Sequence, residues 1–105
     1  MKLDNRELKI LEEHFKIYEN DEDYELEAWT DGGVDMFICL QKTSNFTLIE
    51  LLEFYIEDFD IDEEIDLHRQ DNNYRNNFKI TESVKDFENW LEFVKGVIKE
   101  LKEVE

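Results

Sequence analysis

Tyr24-Glu25-Leu26-Glu27-Ala28-Trp29-Thr30-Asp31-Gly32-Gly33-Val34-Asp35-Met36-Phe37-Ile38-Cys39-Leu40 is the stretch on which the fold turns. Tyr24, Leu26 and Ala28 alternate with Glu25, Glu27 and Trp29, the two-residue period of a half-exposed strand. Asp31-Gly32-Gly33 follows with residues that accept the positive φ of a tight turn. Val34, Met36, Ile38 and Leu40 then take one side of a second strand, so the segment predicts a β-hairpin. A hairpin alone cannot hide its apolar face, so helices must cover it. Its other side, with Glu25, Glu27, Trp29, Asp35 and Phe37, is expected to stay available.

The flanking sequence supplies those helices. Asp4-Asn5-Arg6-Glu7 fits a capping box, and Leu8, Leu11, Phe15 and Tyr18 recur at helical spacing, predicting a helix from Asn5 to about Tyr18. After the hairpin, Thr47 and Glu50 form a second capping box, with Phe46 placed to staple onto Leu51. A helix from Leu48 to about Asp58 follows, burying Leu48, Leu51, Leu52, Tyr55 and Ile56. Asp60-Ile61-Asp62-Glu63 repeats the start signal, so the chain is expected to break near Phe59 and restart as a short helix to about Gln70, a strand over Ile65 to Arg69 being the alternative. Asp71 to Asn77 reads as a polar loop. Beyond Thr81, Val84, Phe87, Leu91, Val94, Ile98 and Leu101 keep a three-four spacing, widened by Trp90, Phe93 and Val97, and mark the spine of the core. The order α-β-β-α-α-α describes one small α+β domain over residues 1–105, a hairpin packed against three to four helices.

Composition narrows the function. A chain of 105 residues has room for one core. With 41% hydrophobic residues, disorder is not expected despite 39% charged ones. No apolar run reaches the roughly 20 residues of a membrane span, and Met1-Lys2-Leu3-Asp4-Asn5 opens into a charged helix and not a signal sequence, so a cytoplasmic protein is expected. The single cysteine, Cys39, reads as a small core residue. Twelve basic against 29 acidic residues give a net charge of −17, which repels phosphate and anionic lipid and argues against direct nucleic-acid or membrane partners.

The charge is local. Residues 1–18 carry four basic and four acidic side chains, and residues 67–105 carry seven and eight. Residues 19–66 hold the other 17 acids against Lys42 alone, a sum of −16. Two runs dominate: Asp21, Glu22, Asp23, Glu25 and Glu27, and Glu57, Asp58, Asp60, Asp62, Glu63, Glu64 and Asp66. Both are threaded with aromatic and aliphatic residues, which marks structured surface and not a tail. These twelve residues are the candidate partner-binding set. Duplex DNA carries about one charge per 1.7 Å, so sixteen carboxylates match roughly 27 Å, or about eight base pairs. A face of that charge can occupy the basic channel of a nucleic-acid-binding protein and exclude its substrate.

Catalytic chemistry is not indicated. His14 and His68 have no nucleophile or metal-ligand pattern around them, and no phosphate loop, nucleophile elbow or zincin motif is present. Asp58-x-Asp60-x-Asp62 opens like a calcium loop but continues with Glu63 and Arg69 where Gly and Glu are required. No cofactor or metal is expected, and no enzyme activity.

The stretch Trp29 to Ile38, the run Glu57-Asp58-Phe59-Asp60-Ile61-Asp62-Glu63-Glu64 and the closing helix from Glu82 resemble small acidic proteins carried on phages and conjugative elements of low-GC Gram-positive bacteria. The resemblance covers about residues 24–103. That family often has proline at the position of Ile61, which implies a helix restarting there. Some such proteins inhibit restriction or CRISPR enzymes as DNA mimics. The resemblance thus implies an inhibitor whose partner is a CRISPR effector nuclease or a restriction enzyme, and it assigns no residue a role. An immunity protein or antitoxin capping a basic toxin nuclease is the alternative, and an adaptor binding through Trp29 and Phe37 is a third.

Overall fold

The computed structural model describes residues 1–70 and 80–103; the expected polar loop at Asp71 to Asn77 lies outside them. In chain order the elements are α1 (Asn5–His14), β1 (Lys16–Glu19), β2 (Asp23–Trp29), β3 (Asp35–Gln41), α2 (Leu48–Asp58), α3 (Ile61–Gln70) and α4 (Ile80–Lys102). The three strands form an antiparallel meander in the order β1-β2-β3. Lys16 pairs with Glu27 and Glu19 with Tyr24 on one side of β2, while Asp23 pairs with Gln41 and Trp29 with Asp35 on the other.

The α+β class, the hairpin and the helical form of α3 match the sequence reading, but the hairpin has a third strand. The first helix stops at His14, and Phe15 is already extended at φ −130° and ψ 154°. Leu8, Leu11, Phe15 and Tyr18 share helical spacing, yet Ile17 and Tyr18 also favour strand, and β2 offers them an unpaired ladder. Tertiary pairing overrides the local period here. Phe15 is still buried, whereas Tyr18, expected on the helix stripe, lies on the sheet at 42% exposure.

Start signals act as read. Glu7 N donates to Asp4 Oδ1 at 2.7 Å and Asp4 N to Glu7 Oε1 at 3.0 Å, completing the box on α1. Thr47 and Glu50 do the same for α2, at 3.2 and 3.0 Å. Phe46, ahead of the cap, packs edge-on against Phe54 at 4.9 Å. Within the hairpin turn only Gly33 takes a positive φ, of 89°, the conformation glycine adopts without steric cost.

The core lies between the inner face of the sheet and the helices. Tyr24, Leu26 and Ala28 from β2 and Met36, Ile38 and Leu40 from β3 face Leu11, Leu48, Leu52, Phe87, Trp90, Val94, Val97 and Ile98, all buried. Cys39 corrects its expected place in the core, because strand alternation between buried Ile38 and Leu40 turns it outward. One buried polar joint ties helix to sheet. Asp86 of α4 accepts from Thr30 Oγ1 at 2.6 Å and from Gly32 N at 2.8 Å, fastening the hairpin tip. No helix among the described residues is long and apolar enough to cross a membrane.

Candidate partner-binding surface

The two acidic runs are built by different elements. Asp21 and Glu22 sit exposed in the β1–β2 turn, which Asn20 shapes by accepting from Glu22 N and Asp23 N at 2.8 and 2.7 Å. From Asp23 onward, alternation along β2 sends Asp23, Glu25 and Glu27 to the outer sheet face. β1 changes what that face looks like. Glu27, expected to be available, is 7% exposed, because β2 is the central strand and neighbours close over it. Tyr18 donates its hydroxyl to Glu27 Oε1 at 2.8 Å, and Lys16 sits opposite Glu27 in the register. The Lys16 ammonium lies 5.3 Å from the Tyr18 ring, and its hydrogen bond with Tyr18 raises its pKa. Asp35, on the same face, has its carboxyl pushed above the ordinary value by desolvation and by the neighbouring Glu27 carboxylate.

Among the described residues no helix covers this face, and three large rings stand on it: Trp29 at 56%, Phe37 at 49% and Tyr18 at 42% exposure. Trp29 and Phe37 are legible in the alternation. Tyr18 is not, since its place depends on β1 pairing with β2. Cys39 stands on this face with its thiol pKa raised by desolvation and the nearby charge of Asp23, which keeps it protonated and weakly nucleophilic.

The second run is a corner. Phe59 ends α2 in an extended conformation, and its ring packs 5.6 Å from Tyr55 and 5.9 Å from Phe87, pinning the turn onto α4. Asp60 then caps α3, accepting from Glu63 N at 3.2 Å. Burying Ile65 leaves Asp62, Glu63 and Asp66 exposed and Glu64 half-buried. Glu57, Asp58, Asp60 and Asp62 come together here, lining an open crevice of about 550 Å³ with Phe59, Ile61 and Val84. Asp62, Glu63 and Glu64 occupy the first turn of α3, where the helix dipole favours them. Glu57 and Asp58 crowd the last turn of α2, where it opposes them.

The runs do not merge. Lys42 N donates to Glu22 O at the open end of the hairpin, while the hairpin tip is held by Asp86, one position from the Phe87 that Phe59 touches. The turn acids and the corner acids thus sit toward opposite ends of the hairpin. Lys42, the one basic side chain of residues 19–66, sits beside the turn acids and pairs with Glu19 at 2.6 Å, while Lys95 pairs with Glu92 and Lys102 with Glu53 at 3.3 Å.

A group the sequence did not single out lies at the α1–α4 contact. Ligand atoms of Glu13, His14 and Glu100 fall within 4.8 Å of one another. His14 Nε2 is 2.8 Å from Glu100 Oε2, with Phe93 edge-on to the imidazole at 5.8 Å. A tetrahedral ion with bonds of about 2.0–2.1 Å spaces its ligands about 3.3 Å apart, so at 2.8 Å His14 and Glu100 stand as a directly hydrogen-bonded pair. Residues separated by 86 positions give no spacing motif to read. Asp58, Asp60 and Asp62, which open like a calcium loop, are divided between the end of α2, the linker and the start of α3.

No protein-family model, curated protein or solved structure matches this chain.

Proposed function

We propose that the protein is a non-enzymatic inhibitor that acts as a DNA mimic, placing its acidic surface in the basic nucleic-acid site of a bacterial defence nuclease, a CRISPR effector or a restriction enzyme. The observation that carries this reading is the concentration of −16 in residues 19–66, with Glu57, Asp58, Asp60 and Asp62 gathered at one exposed corner. Like charges held together on a fold cost stability through self-repulsion. Helix-dipole complementarity accounts for Asp62, Glu63 and Glu64 but not for Glu57 and Asp58. Against a basic channel the same repulsion becomes attraction, speeding encounter and releasing the partner's bound anions. The resemblance to small acidic proteins of mobile elements supports the same class. An immunity protein on a toxin nuclease uses identical electrostatics, and the identity of the captured partner separates the two.

The test starts with affinity capture from a nuclease-treated bacterial lysate, which is expected to recover a basic DNA-binding protein that duplex DNA displaces. The triple change Asp60→Asn, Asp62→Asn, Glu63→Gln retains the cap acceptor on α3 and removes three corner charges. Glu12→Gln, Glu88→Gln, Glu92→Gln removes three exposed charges outside the acidic segment. Loss of capture and of nuclease inhibition in the first variant alone supports a located mimic surface. Equal loss in both assigns the effect to net charge, and retention in both removes the electrostatic reading. An adaptor working through Trp29, Phe37 and Tyr18 would instead lose binding on Trp29→Ala and keep it in both charge variants.

A further inference from the structure

β3 carries an edge that the sheet leaves open. The order β1-β2-β3 puts it at the border, and among the described residues no strand pairs with its far side. The bonds from Thr30 N to Val34 O and from Lys42 N to Glu22 O bracket the β2–β3 ladder. By antiparallel alternation, even-numbered residues of β3 bond to β2 and odd-numbered ones turn their N–H and C=O groups away from it. Those residues are Asp35, Phe37 and Cys39, each exposed; past them the Gln41 carbonyl accepts from Ser44 N and closes the edge.

Borders of sheets are ordinarily guarded by shortness, lysine, proline or a bulge. β1, the opposite border, follows that rule, with four residues that include Lys16 and Glu19. β3 does not. It has seven residues, no proline and no lysine, and Asp35 is its one charge. An unguarded edge of that length is a template for another strand. Charge decides which kind. A second copy of this chain brings another −17 against the first and is repelled, whereas a basic segment is drawn in. Trp29, 56% exposed, stands directly across the register from Asp35. A carboxylate beside an open indole is the combination that binds a guanidinium, through charge-assisted hydrogen bonds and cation–π contact.

We propose that the free edge of β3 takes an extended, arginine-bearing segment of a basic partner as a fourth strand, its backbone paired with Asp35, Phe37 and Cys39 and a guanidinium set between Asp35 and Trp29. The proposal rests on the reading that the partner is basic, and it adds where and in what conformation that partner docks.

The probe is a blocked heptapeptide of alternating arginine and valine, titrated into the ¹⁵N-labelled full chain. Saturable shifts are expected at the amides of Asp35, Phe37 and Cys39 and at the Trp29 indole, with at least tenfold weaker binding when the peptide amides facing β3 are N-methylated. Trp29→Ala is expected to weaken binding several-fold. Binding that ignores N-methylation, or shifts centred on the corner acids with β3 unmoved, overturns strand addition. So does a dimer of the protein, seen by sedimentation, that pairs through β3. The failures are separable. A chain that binds the peptide along β3 but inhibits no nuclease would remove the inhibitor reading and keep this one. Nuclease inhibition fully retained in Phe37→Pro, a change that an edge strand tolerates but that removes the outward N–H, would do the reverse.

Discussion

At the residue scale, Asp86 is the side chain whose loss the fold would feel most sharply for its size. It is 4% exposed, and its two carboxylate oxygens hold the Thr30 hydroxyl and the Gly32 amide. Asp86→Ala strands those donors, and because bonds to a charged group count for more than neutral ones, unfolding by urea should show a loss of about 3 kcal/mol. Asp86→Asn, which keeps one acceptor oxygen, should lose less. Asp35 gives a prediction in pH. Its pKa is raised above 3.8 by desolvation and by Glu27, so the folded state holds its proton more tightly than the unfolded chain. The stabilising contribution of that proton is complete below pH 3.8 and is lost as pH rises through the folded value. Asp35→Asn removes this dependence, so at neutral pH the variant should be more stable than the parent, with the gain fading towards pH 3.8 in denaturation curves taken across the range. Tyr18→Phe tests the third strand at the same scale: the carboxylate of buried Glu27 loses its hydroxyl donor, and about 1–3 kcal/mol should disappear.

Among the elements, α4 organises the others. Phe87, fully buried, receives Phe59 from the α2–α3 corner, Trp90 donates its indole N–H to the Tyr55 hydroxyl at 3.0 Å, and Phe15 packs edge-on to Trp90 at 6.4 Å. Burial pushes the Tyr55 phenol up to about 12, consistent with a ring held inside the α2–α4 contact. Arg6 of α1 reaches the other end of α4, donating to the carbonyls of Leu101 at 3.1 Å, of Glu100 at 3.2 Å and of Glu103, where the helix dipole leaves acceptors open. Phe87→Ala should therefore cost about 3–5 kcal/mol in chemical denaturation, and it should loosen the acidic corner as well as the core. Thr47→Ala affects one helix start, with an expected loss of about 1 kcal/mol.

For the whole molecule, 42 × 30 × 22 Å, the excess charge sets opposite responses of stability and binding to salt. Self-repulsion within residues 19–66 is screened over about 8 Å at physiological ionic strength. Added sodium chloride should therefore raise the melting temperature of the isolated protein, by about 4–8 °C for each kcal/mol of repulsion removed in a domain of this size. Capture of a basic partner should weaken steeply over the same salt range. A melting temperature that stays flat would mean that the carboxylates are too dispersed to repel one another. A partner affinity that stays flat would point to the exposed rings of the sheet face in place of the charges.

The starts of α1 and α2, the hairpin and the inner face of β2 and β3 follow from the sequence, because caps, turn residues and hydrophobic periods act over three to seven residues and need no knowledge of distant chain; over Ile65 to Arg69 the sequence leaves helix and strand both open, and the structure has helix. The acidic runs and the exposed state of Asp60, Asp62 and Glu63 are legible for the same reason: charge is countable, and a capped helix sends its polar positions outward. Lys16–Glu19 could not be assigned this way, since Tyr18 fits a helix stripe and a strand equally and the choice lies with β2, which pairs with it. From that one pairing follow the central place of β2, the burial of Glu27 and the placement of Tyr18 on the outer face. The placing of Asp21 and Glu22 at the opposite end of the hairpin from the α2–α3 corner, the joint between Asp86 and the hairpin tip and the pairing of His14 with Glu100 likewise depend on which elements meet, a long-range packing outcome that no local pattern encodes.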